Sequence, residues 1–365
     1  MRSNEQRRYA LAWVIGVSML VIVIFALIQL TAGSFGMTWQ RAFAAIFDPQ
    51  VWKSPTTLGH FLLGDAGASA VGLESTRALT TETLIVWNVR LPRVLVAVFV
   101  GINLSVSGSI LQAVTRNEMA SPFLLGVSSG AGLAVILILV LFPMLAPLLP
   151  VMAMLGGGLA FLIVYAIAWN RGTSPVRLVL AGVVVAAIAG SIQTGLFLMA
   201  KEISVVQNAL AWTTGSLTGV GWQQVRQIAP WTLVSSMIAL LTTRQLDVLQ
   251  LGDPAARSLG MRVEWVRFWL SANAIIAAGS AVAVAGLIGF VGLIVPHVVR
   301  NLVGGTHRRL LIGCLFSGPA LLVCADAGAR LLVQPMQLPV GIITGCLGGG
   351  FFLYIMRRRP EIGKL

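Results

Sequence analysis

Ten long apolar stretches constrain this sequence more than any other feature. A window of about 19 residues finds them at 9–31, 92–114, 122–142, 147–169, 176–199, 226–243, 265–287, 288–303, 309–333 and 339–357. Hydrocarbon cannot hydrogen-bond to a backbone, so a stretch of about 20 residues crosses a bilayer as a helix. Composition agrees, because 57% of the 365 residues are hydrophobic and 10% are charged. We therefore predict an all-α polytopic membrane protein with ten transmembrane helices, forming one domain over residues 1–365.

The first stretch has some features of a secretory leader, because Arg2, Arg7 and Arg8 precede it. A leader contains roughly 7 to 15 apolar residues, whereas a transmembrane helix needs roughly 20. Since the stretch covers 9–31, we interpret it as the first transmembrane helix.

The basic residues predict the orientation of the chain. With a cytoplasmic N-terminus, 17 of the 25 Lys and Arg residues fall on the cytoplasmic side and 8 fall outside. Basic residues concentrate in cytoplasmic loops, so we predict cytoplasmic N- and C-termini in a bacterial inner membrane. A long outer segment then covers 32–89, and a cytoplasmic connection covers 244–264. Membrane topology also explains the net charge of +13 without a nucleic-acid partner.

Motifs for catalysis or cofactor binding are missing. The sequence contains no GxxxxGK[ST] phosphate loop, no HExxH and no GxSxG, which argues against nucleotide hydrolysis and against an enzyme. The three Cys residues, at 314, 324 and 346, lie in apolar stretches without the spacing of metal ligands. We therefore expect no metal site and no cofactor bound by this chain.

The cytoplasmic connection has the signals of two short helices. We predict that Asp253 caps a helix with Pro254 in its first turn, that Gly260 ends this helix in a left-handed conformation, and that Gly252 separates it from the helix before it. Its apolar side is costly to leave uncovered. The alternatives are a solvated loop and a compact knob that fits a cleft in another protein.

Charged residues near the predicted outer ends of helices form a second unusual group. Arg90 and Arg93 bracket Pro92, where cations are disfavoured by the helix dipole. They either snorkel to lipid headgroups or bind an acidic partner, and in the second case charge reversal is expected to weaken docking without unfolding the protein. Asp326, the only acid inside an apolar stretch, is expected to pair with Arg330 on one helix or to face a partner.

Polar residues inside the apolar stretches either line a translocation pathway or serve helix packing, and both readings stay open. These residues are Asn103, Ser107 and Gln112 in the second stretch and Gln193 in the fifth.

Eight motifs, in this order and spacing, resemble those of the FecCD/BtuC-like permease family, the membrane subunits of ABC importers for ferric siderophores, haem and cobalamin. They are RLPR (90–93), RNEMASPFLLGVSSGA (116–131), RLVLAGV (177–183), WTTGSLTGVGW (212–222), LGDPAARSLGM (251–261), GFVGLIVPHVVRNLVGGTHRRLL (289–311), ADAGAR (325–330) and LPVGIITG (338–345). The resemblance covers nearly the whole chain from about residue 30.

The resemblance implies a ten-helix protomer that pairs with an identical or paralogous permease. Two separate ATPase subunits, which use ATP and Mg, would bind on the cytoplasmic side, and a periplasmic or lipid-anchored substrate-binding protein would dock outside. The residues implied for ATPase coupling are Gly252, Asp253, Ala256, Arg257 and Gly260. Those implied for docking are Arg90, Arg93 and Arg330. Those implied for an inner gate are Asn117, Met119 and Ser174.

The chain also departs from the family pattern. It has Glu118 and Met119 where the family has Pro and Leu, lacks a Pro at Leu287 and at Gly350, and has Gln337 where Glu is common. The outer segment is also longer than usual. The branch most similar in its motifs imports ferric siderophores and ferric citrate, with cobalamin or haem import as the alternative. An ion-coupled secondary transporter and a membrane scaffold are the competing classes.

Overall fold

The computed structural model describes residues 4–31, 36–71, 79–170, 172–200, 202–333 and 336–358. Across these ranges the chain folds into helices, and its only bridge of β type is an isolated one between Trp169 and Thr173. The α-helices are α1 (Asn4–Thr31), α2 (Trp39–Ile46), α3 (Pro49–Trp52), α4 (Pro55–Ala70), α5 (Thr81–Ile85), α6 (Leu91–Thr115), α7 (Val127–Leu141), α8 (Leu149–Ala168), α9 (Pro175–Met199), α10 (Ile203–Thr214), α11 (Trp222–Leu241), α12 (Thr243–Gln250), α13 (Asp253–Ser258), α14 (Val263–Ala285), α15 (Val291–Val303), α16 (His307–Leu331) and α17 (Val340–Arg358).

Each of the ten predicted stretches contains one of these helices: α1, α6, α7, α8, α9, α11, α14, α15, α16 and α17. In the described part of the chain, 6 helices are long and apolar enough to cross a membrane, and α7, α15 and α17 are shorter apolar helices. The α11 helix has 20 residues, with several Gln and one Arg in its first half. The prediction of an all-α polytopic membrane protein is therefore confirmed.

The structure does not describe all of the basic residues on which the orientation prediction depends. Those at 2, 77, 171, 201, 359 and 364 lie outside the described residues, as do 32–35 and 72–78 of the outer segment.

Helix α6 lies at the centre of the bundle and packs against α11, α14, α15 and α16. Two contacts bring it backbone to backbone with its neighbours. A Cβ added at Gly101 would lie 2.6 Å from the carbonyl oxygen of Gly318 in α16, and one added at Gly108 would overlap the carbonyl oxygen of Gly292 in α15. Small residues permit this close approach in a membrane, where no hydrophobic drive brings helices together.

The second membrane helix begins earlier than the predicted start at residue 92, and this prediction is wrong. Helix α5 continues through a π-helical segment, Val86–Arg90, into α6, so that one helix covers Thr81–Thr115. Pro92 cannot donate to the carbonyl four residues before it, and its ring needs extra space there. The π segment supplies that space, because the N–H of Leu91 bonds to the carbonyl of Val86, five residues back.

An aromatic cluster attaches the outer segment to the bundle. The indole N–H of Trp87 donates to the carbonyl of Ala45 in α2 at 3.0 Å, and that of Trp222 donates to the carbonyl of Trp87 at 2.7 Å. The Trp87 ring also stacks on Phe61 in α4, with centroids 5.3 Å apart. The Trp222 side chain is buried in this cluster.

Candidate functional site

The connection 244–264, which the sequence assigns to the cytoplasmic side, forms the predicted pair of short helices, α12 and α13. Gly252 joins them with a φ of +97°, and Gly260 follows α13 with a φ of +82°. The N–H of Gly260 bonds to the carbonyl of Arg257 at 2.9 Å, and that of Met261 bonds to the carbonyl of Ala256 at 3.0 Å. These bonds are the glycine-ended helix terminus expected from the sequence. Ala256 is buried on the inner side of the pair and Arg257 is exposed.

Asp253 does not cap α13, so that prediction is wrong. Gly252 occupies the cap position and Asp253 is the first helical residue, without a side-chain cap hydrogen bond. Its Oδ1 atom instead lies 2.8 Å from Nη2 of Arg267 and 3.3 Å from Nη2 of Arg116. The carboxylate that the sequence assigned to local helix capping therefore joins three parts of the chain.

Arg267 is a residue that the sequence reasoning missed. Its side chain is only 1% exposed, and Nη1 donates to the carbonyl oxygen of Thr173 at 2.6 Å. Glu264 Oε1 lies 3.6 Å from both Arg267 and Arg257, while its Oε2 accepts from the N–H of Thr173 at 2.8 Å. The signal was available, because Arg267 is an ionisable residue inside the apolar stretch 265–287, and such a residue needs a partner.

Arg93 forms a buried ion pair with Asp326. Nε and Nη2 of Arg93 donate to the two carboxylate oxygens at 2.9 and 2.8 Å, and Nη1 donates to Oε1 of Gln337 at 2.7 Å. Asp326 was expected to pair with Arg330 along α16, but its ion pair is with α6 instead. Charge reversal at Arg93 is therefore not a change that leaves the fold intact, because it would place two carboxylates opposite each other.

The other two predicted docking arginines lie close to the same end of the bundle. Arg90 is buried and donates from Nη1 to the carbonyl oxygen of Leu30 at the end of α1. Arg330 is half-buried and donates to the carbonyl oxygen of Gln29 at 3.2 Å. All three arginines therefore help to hold α1, α6 and α16 together at this end.

The predicted gate loop is a compact turn between α6 and the 3₁₀ segment Pro122–Leu125. The side chain of Asn117 accepts from the N–H of Met119 at 2.9 Å, so Asn117 forms its turn although Pro is absent after it. Glu118 Oε2 lies 3.4 Å from Nδ1 of His297 in α15. Ser174, the weaker gate candidate, precedes α9 without a side-chain cap hydrogen bond.

Three of the four predicted pathway residues lie between packed helices. Asn103 donates to Ser280 Oγ of α14 at 2.9 Å, Ser107 is fully buried, and Gln112 accepts from Arg300 at 3.4 Å. The fourth, Gln193 of α9, is half-buried and donates to the carbonyl of Ser129 at 2.9 Å. The contacts of the first three are those of helix packing.

No group of three or more His, Cys, Asp or Glu residues that could hold a metal ion occurs in the part of the chain that the structure describes.

Known proteins resemble this chain over most of its length. The model of the FecCD transport family matches residues 19–358. The Fe(3+)-citrate import system permease protein YfmD of Bacillus subtilis is 40% identical over 76% of this chain and 82% of its own length. The hemin transport system permease protein HmuU of Yersinia pestis is 41% identical over 82% of this chain and 92% of its own length.

One solved structure has the same fold. It is described as an inward-facing conformation of a metal-chelate type ABC transporter, and it superposes with a TM-score of 0.79 at 24% identity. The match covers 95% of this chain and 99% of that chain.

Fold and site together define a polytopic helical membrane protein whose polar groups form ion pairs between helices. Sequence similarity makes this specific: the chain belongs to the FecCD transport family. Members of this family are membrane permease subunits of ABC transporters and are not enzymes.

Proposed function

We propose that this chain is the permease subunit of an importer that moves an iron(III) chelate of the siderophore or citrate type across the bacterial inner membrane. The similarity to iron permeases carries the proposal, since relatives named for Fe(3+)-citrate and for iron(3+)-hydroxamate are 40% and 36% identical to this chain. Haem or cobalamin is the second candidate, because permeases named for hemin and cobalamin are 41% and 39% identical.

Reconstitution tests the substrate directly. The permease, its ATPase subunits and its binding protein are placed in proteoliposomes, and ATP hydrolysis is measured with ferric citrate, ferric hydroxamates, haem and cobalamin. Stimulation by a ferric chelate alone is expected. Stimulation by haem or cobalamin alone would favour that molecule as the substrate over an iron(III) chelate.

We propose that α12 and α13 bind a separate ATPase subunit that hydrolyses ATP with Mg as its cofactor. Support comes from Leu251 and Leu259, whose side chains are 63% and 65% exposed on this polar pair of helices. Exposed apolar side chains beside charged ones are typical of a surface that a partner covers. Gly252, Asp253, Ala256, Arg257 and Gly260 give the pair its shape and charge.

Co-purification in mild detergent tests the partnership. A nucleotide-binding subunit is expected to follow this chain, whereas its absence would favour an ion-coupled secondary transporter. Asp326, an acid that such a transporter could use inside the membrane, has both carboxylate oxygens engaged by Arg93 at 2.9 and 2.8 Å.

We propose that a substrate-binding protein docks at the end of the bundle that carries Arg90, Arg93 and Arg330, and that both chain termini are cytoplasmic. Arg330 is the most suitable of the three for a test, since it is half-buried while Arg90 and Arg93 are buried. Acidic side chains of the binding protein would be attracted by this charge.

We propose that Asn117, Met119 and Ser174 belong to an inner gate and that the pathway lies between this chain and a second permease, identical or paralogous. Among the pathway candidates, Gln193 has the strongest support, because its neighbours Ser191 and Thr194 on α9 are exposed. The burial of Asn103, Ser107 and Gln112 favours their use in packing. Cysteine accessibility at position 193, with and without ATP, measures whether this face borders water.

A further inference from the structure

We infer that Asp253 is the junction through which the helix pair α12–α13 moves two other inner loops, the loop after α6 and the loop before α9. This inference rests on the proposed ATPase coupling and adds the residues that transmit the movement. Asp253 is suited to the role because one of its carboxylate oxygens, Oδ1, contacts both Arg116 and Arg267.

The first connection runs from Asp253 through Arg267 to Thr173. Arg267 Nη2 binds Asp253 at 2.8 Å, and Nη1 binds the carbonyl oxygen of Thr173 at 2.6 Å. Glu264 holds the same loop from the other side, accepting from Thr173 Oγ1 at 2.6 Å. Because Arg267 is buried, water screens these charged hydrogen bonds poorly, and they resist stretching more than surface pairs do.

The second connection runs from Asp253 through Arg116 to the gate loop. Arg116 ends α6 with a φ of +49°, a left-handed conformation that a residue other than glycine seldom adopts. This conformation coincides with the ion pair to Asp253, and a Cβ added at Gly252 would lie 3.2 Å from Nη1 of Arg116. The contact between Glu118 Oε2 and Nδ1 of His297, at 3.4 Å, continues the connection to α15.

These contacts give Arg116 and Arg267 separate tasks. If a partner displaces α13, the Arg267 connection carries the displacement to 172–174 and the Arg116 connection carries it to 117–120. Both are positioning residues, since neither needs to touch the transported molecule.

Hydrogen–deuterium exchange tests the two connections separately. The complex of full-length permease and ATPase subunits is compared with and without a non-hydrolysable ATP analogue. In the unmodified protein, nucleotide is expected to change exchange about tenfold at 117–120, at 172–174 and in α12–α13. In Asp253→Asn, which keeps the side-chain volume but removes the charge, α12–α13 should still respond. The response at 117–120 should be lost, whereas the response at 172–174 should fall without vanishing, because the contact between Arg257 and Glu264 remains.

Variants of Arg116 test the second connection, from Asp253 to the gate loop, by itself. Arg116→Gln should abolish the response at 117–120 and leave the response at 172–174, and Arg116→Lys should restore much of it by keeping the cation. Arg262→Gln, at an exposed arginine between α13 and α14, is the matched control and should respond as the unmodified protein does.

Two results would overturn the inference, and they are distinguishable. Unchanged loop responses in Asp253→Asn would reject the junction while leaving ATPase coupling intact. A lack of response in α12–α13 of the unmodified complex would reject the proposed coupling itself.

A separate observation concerns α2 in the outer segment. We propose that its aromatic face lies in the headgroup region of the bilayer. Trp39, Phe43 and Phe47 are spaced four residues apart and are all exposed, with the rings of Phe43 and Phe47 4.7 Å apart. The opposite face buries Ala42 and Ala45 in the bundle.

Lipid is the occupant that best fits this face. Helix α2 packs against α1, whose Leu20, Ile24 and Leu27 are exposed as expected for contact with acyl chains. The basic side chains of Arg41 and Lys53 are exposed near the aromatic residues, where anionic phosphates would attract them. The aromatic face therefore extends the exposed apolar surface of α1, a helix that is long and apolar enough to cross a membrane.

Nitroxide labels measure the depth of this face in vesicles that contain phosphatidylglycerol. The background is Cys324→Ser and Cys346→Ser, and labels are placed by Phe43→Cys or by the control Arg41→Cys. The label at 43 should be about tenfold more accessible to oxygen than to a water-soluble nickel chelate, and the label at 41 should show the reverse. Preferential access of the nickel chelate to the label at 43, or its protection only when binding protein is added, would reject the lipid contact.

Discussion

Replacing Asp326 with Asn should destabilise this protein far more than removing a charge from an exposed ion pair would. The pair with Arg93 is bidentate, with distances of 2.9 and 2.8 Å, and the two side chains are 0% and 7% exposed. Removal of one partner leaves a buried charge uncompensated, which costs about 3–5 kcal/mol. Asn can still accept one hydrogen bond, so we expect about 3 kcal/mol, the lower end of that range.

The measurement is the free energy of unfolding in mild detergent, from denaturant titration of the purified permease. Glu82→Gln is the matched control, because the Arg41–Glu82 pair is 3.8 Å long with side chains 70% and 34% exposed. An exposed pair contributes about 0–1 kcal/mol. If Asp326→Asn costs no more than Glu82→Gln, the reasoning on the buried pair is refuted. The double variant Arg93→Met/Asp326→Leu should recover most of the loss, because it removes both charges.

Three further predictions concern packing, coupling and docking. Gly108→Ala should lower the free energy of unfolding by at least about 1–3 kcal/mol, because the added Cβ would overlap the α15 backbone. The control Gly158→Ala should change little, since the space around Gly158 is open. Equal effects of the two substitutions would contradict the close contact between α6 and α15. Gly252→Val should reduce the amount of substrate taken up per ATP hydrolysed about tenfold, because Gly252 has a φ of +97° and a Cβ there would press on Arg116. An unchanged ratio of uptake to ATP hydrolysis in proteoliposomes would reject the role of Gly252 in coupling. Arg330→Gln, which removes the charge without setting a second carboxylate near Asp326, should weaken binding-protein affinity about tenfold at low ionic strength and less at high salt. An unchanged Kd at low salt would exclude the docking role.

Local chemistry made the two short helices of the connection 244–264 predictable. Gly252, Pro254 and Gly260 act through their own backbone geometry, so a short stretch of sequence specifies the two helices and the break between them. The apolar stretches were predictable for a similar reason, since the bilayer fixes both the length and the helical state of each one.

Partners distant in sequence were not predictable from one sequence. Asp326 binds Arg93, 233 residues away, although Arg330 lies four residues away on the same helix. Asp253 likewise carries a local capping signal but binds Arg116 and Arg267 from two other elements. In both cases tertiary packing offered a buried arginine, and a charge-assisted bond inside the protein outweighs a local contact near water.

The sequence also did not show which neighbours the polar side chains of a membrane helix contact. Asn103, Ser107 and Gln112 are polar residues in an apolar stretch, which fits a pathway and a packed core equally well. Only the position of α6 among its neighbours shows that these side chains point into the bundle.

The glycine contacts of α6 also limit how the permease can change shape. Where Gly101 meets Gly318 and Gly108 meets Gly292, main chain rests on main chain and no side chain can swing aside to let one helix slide. We therefore expect α6, α15 and α16 to move together. A change in the shape of the permease would then involve helices outside this group, such as α9 and α17, where Gly190, Gly195 and Gly345 face open space.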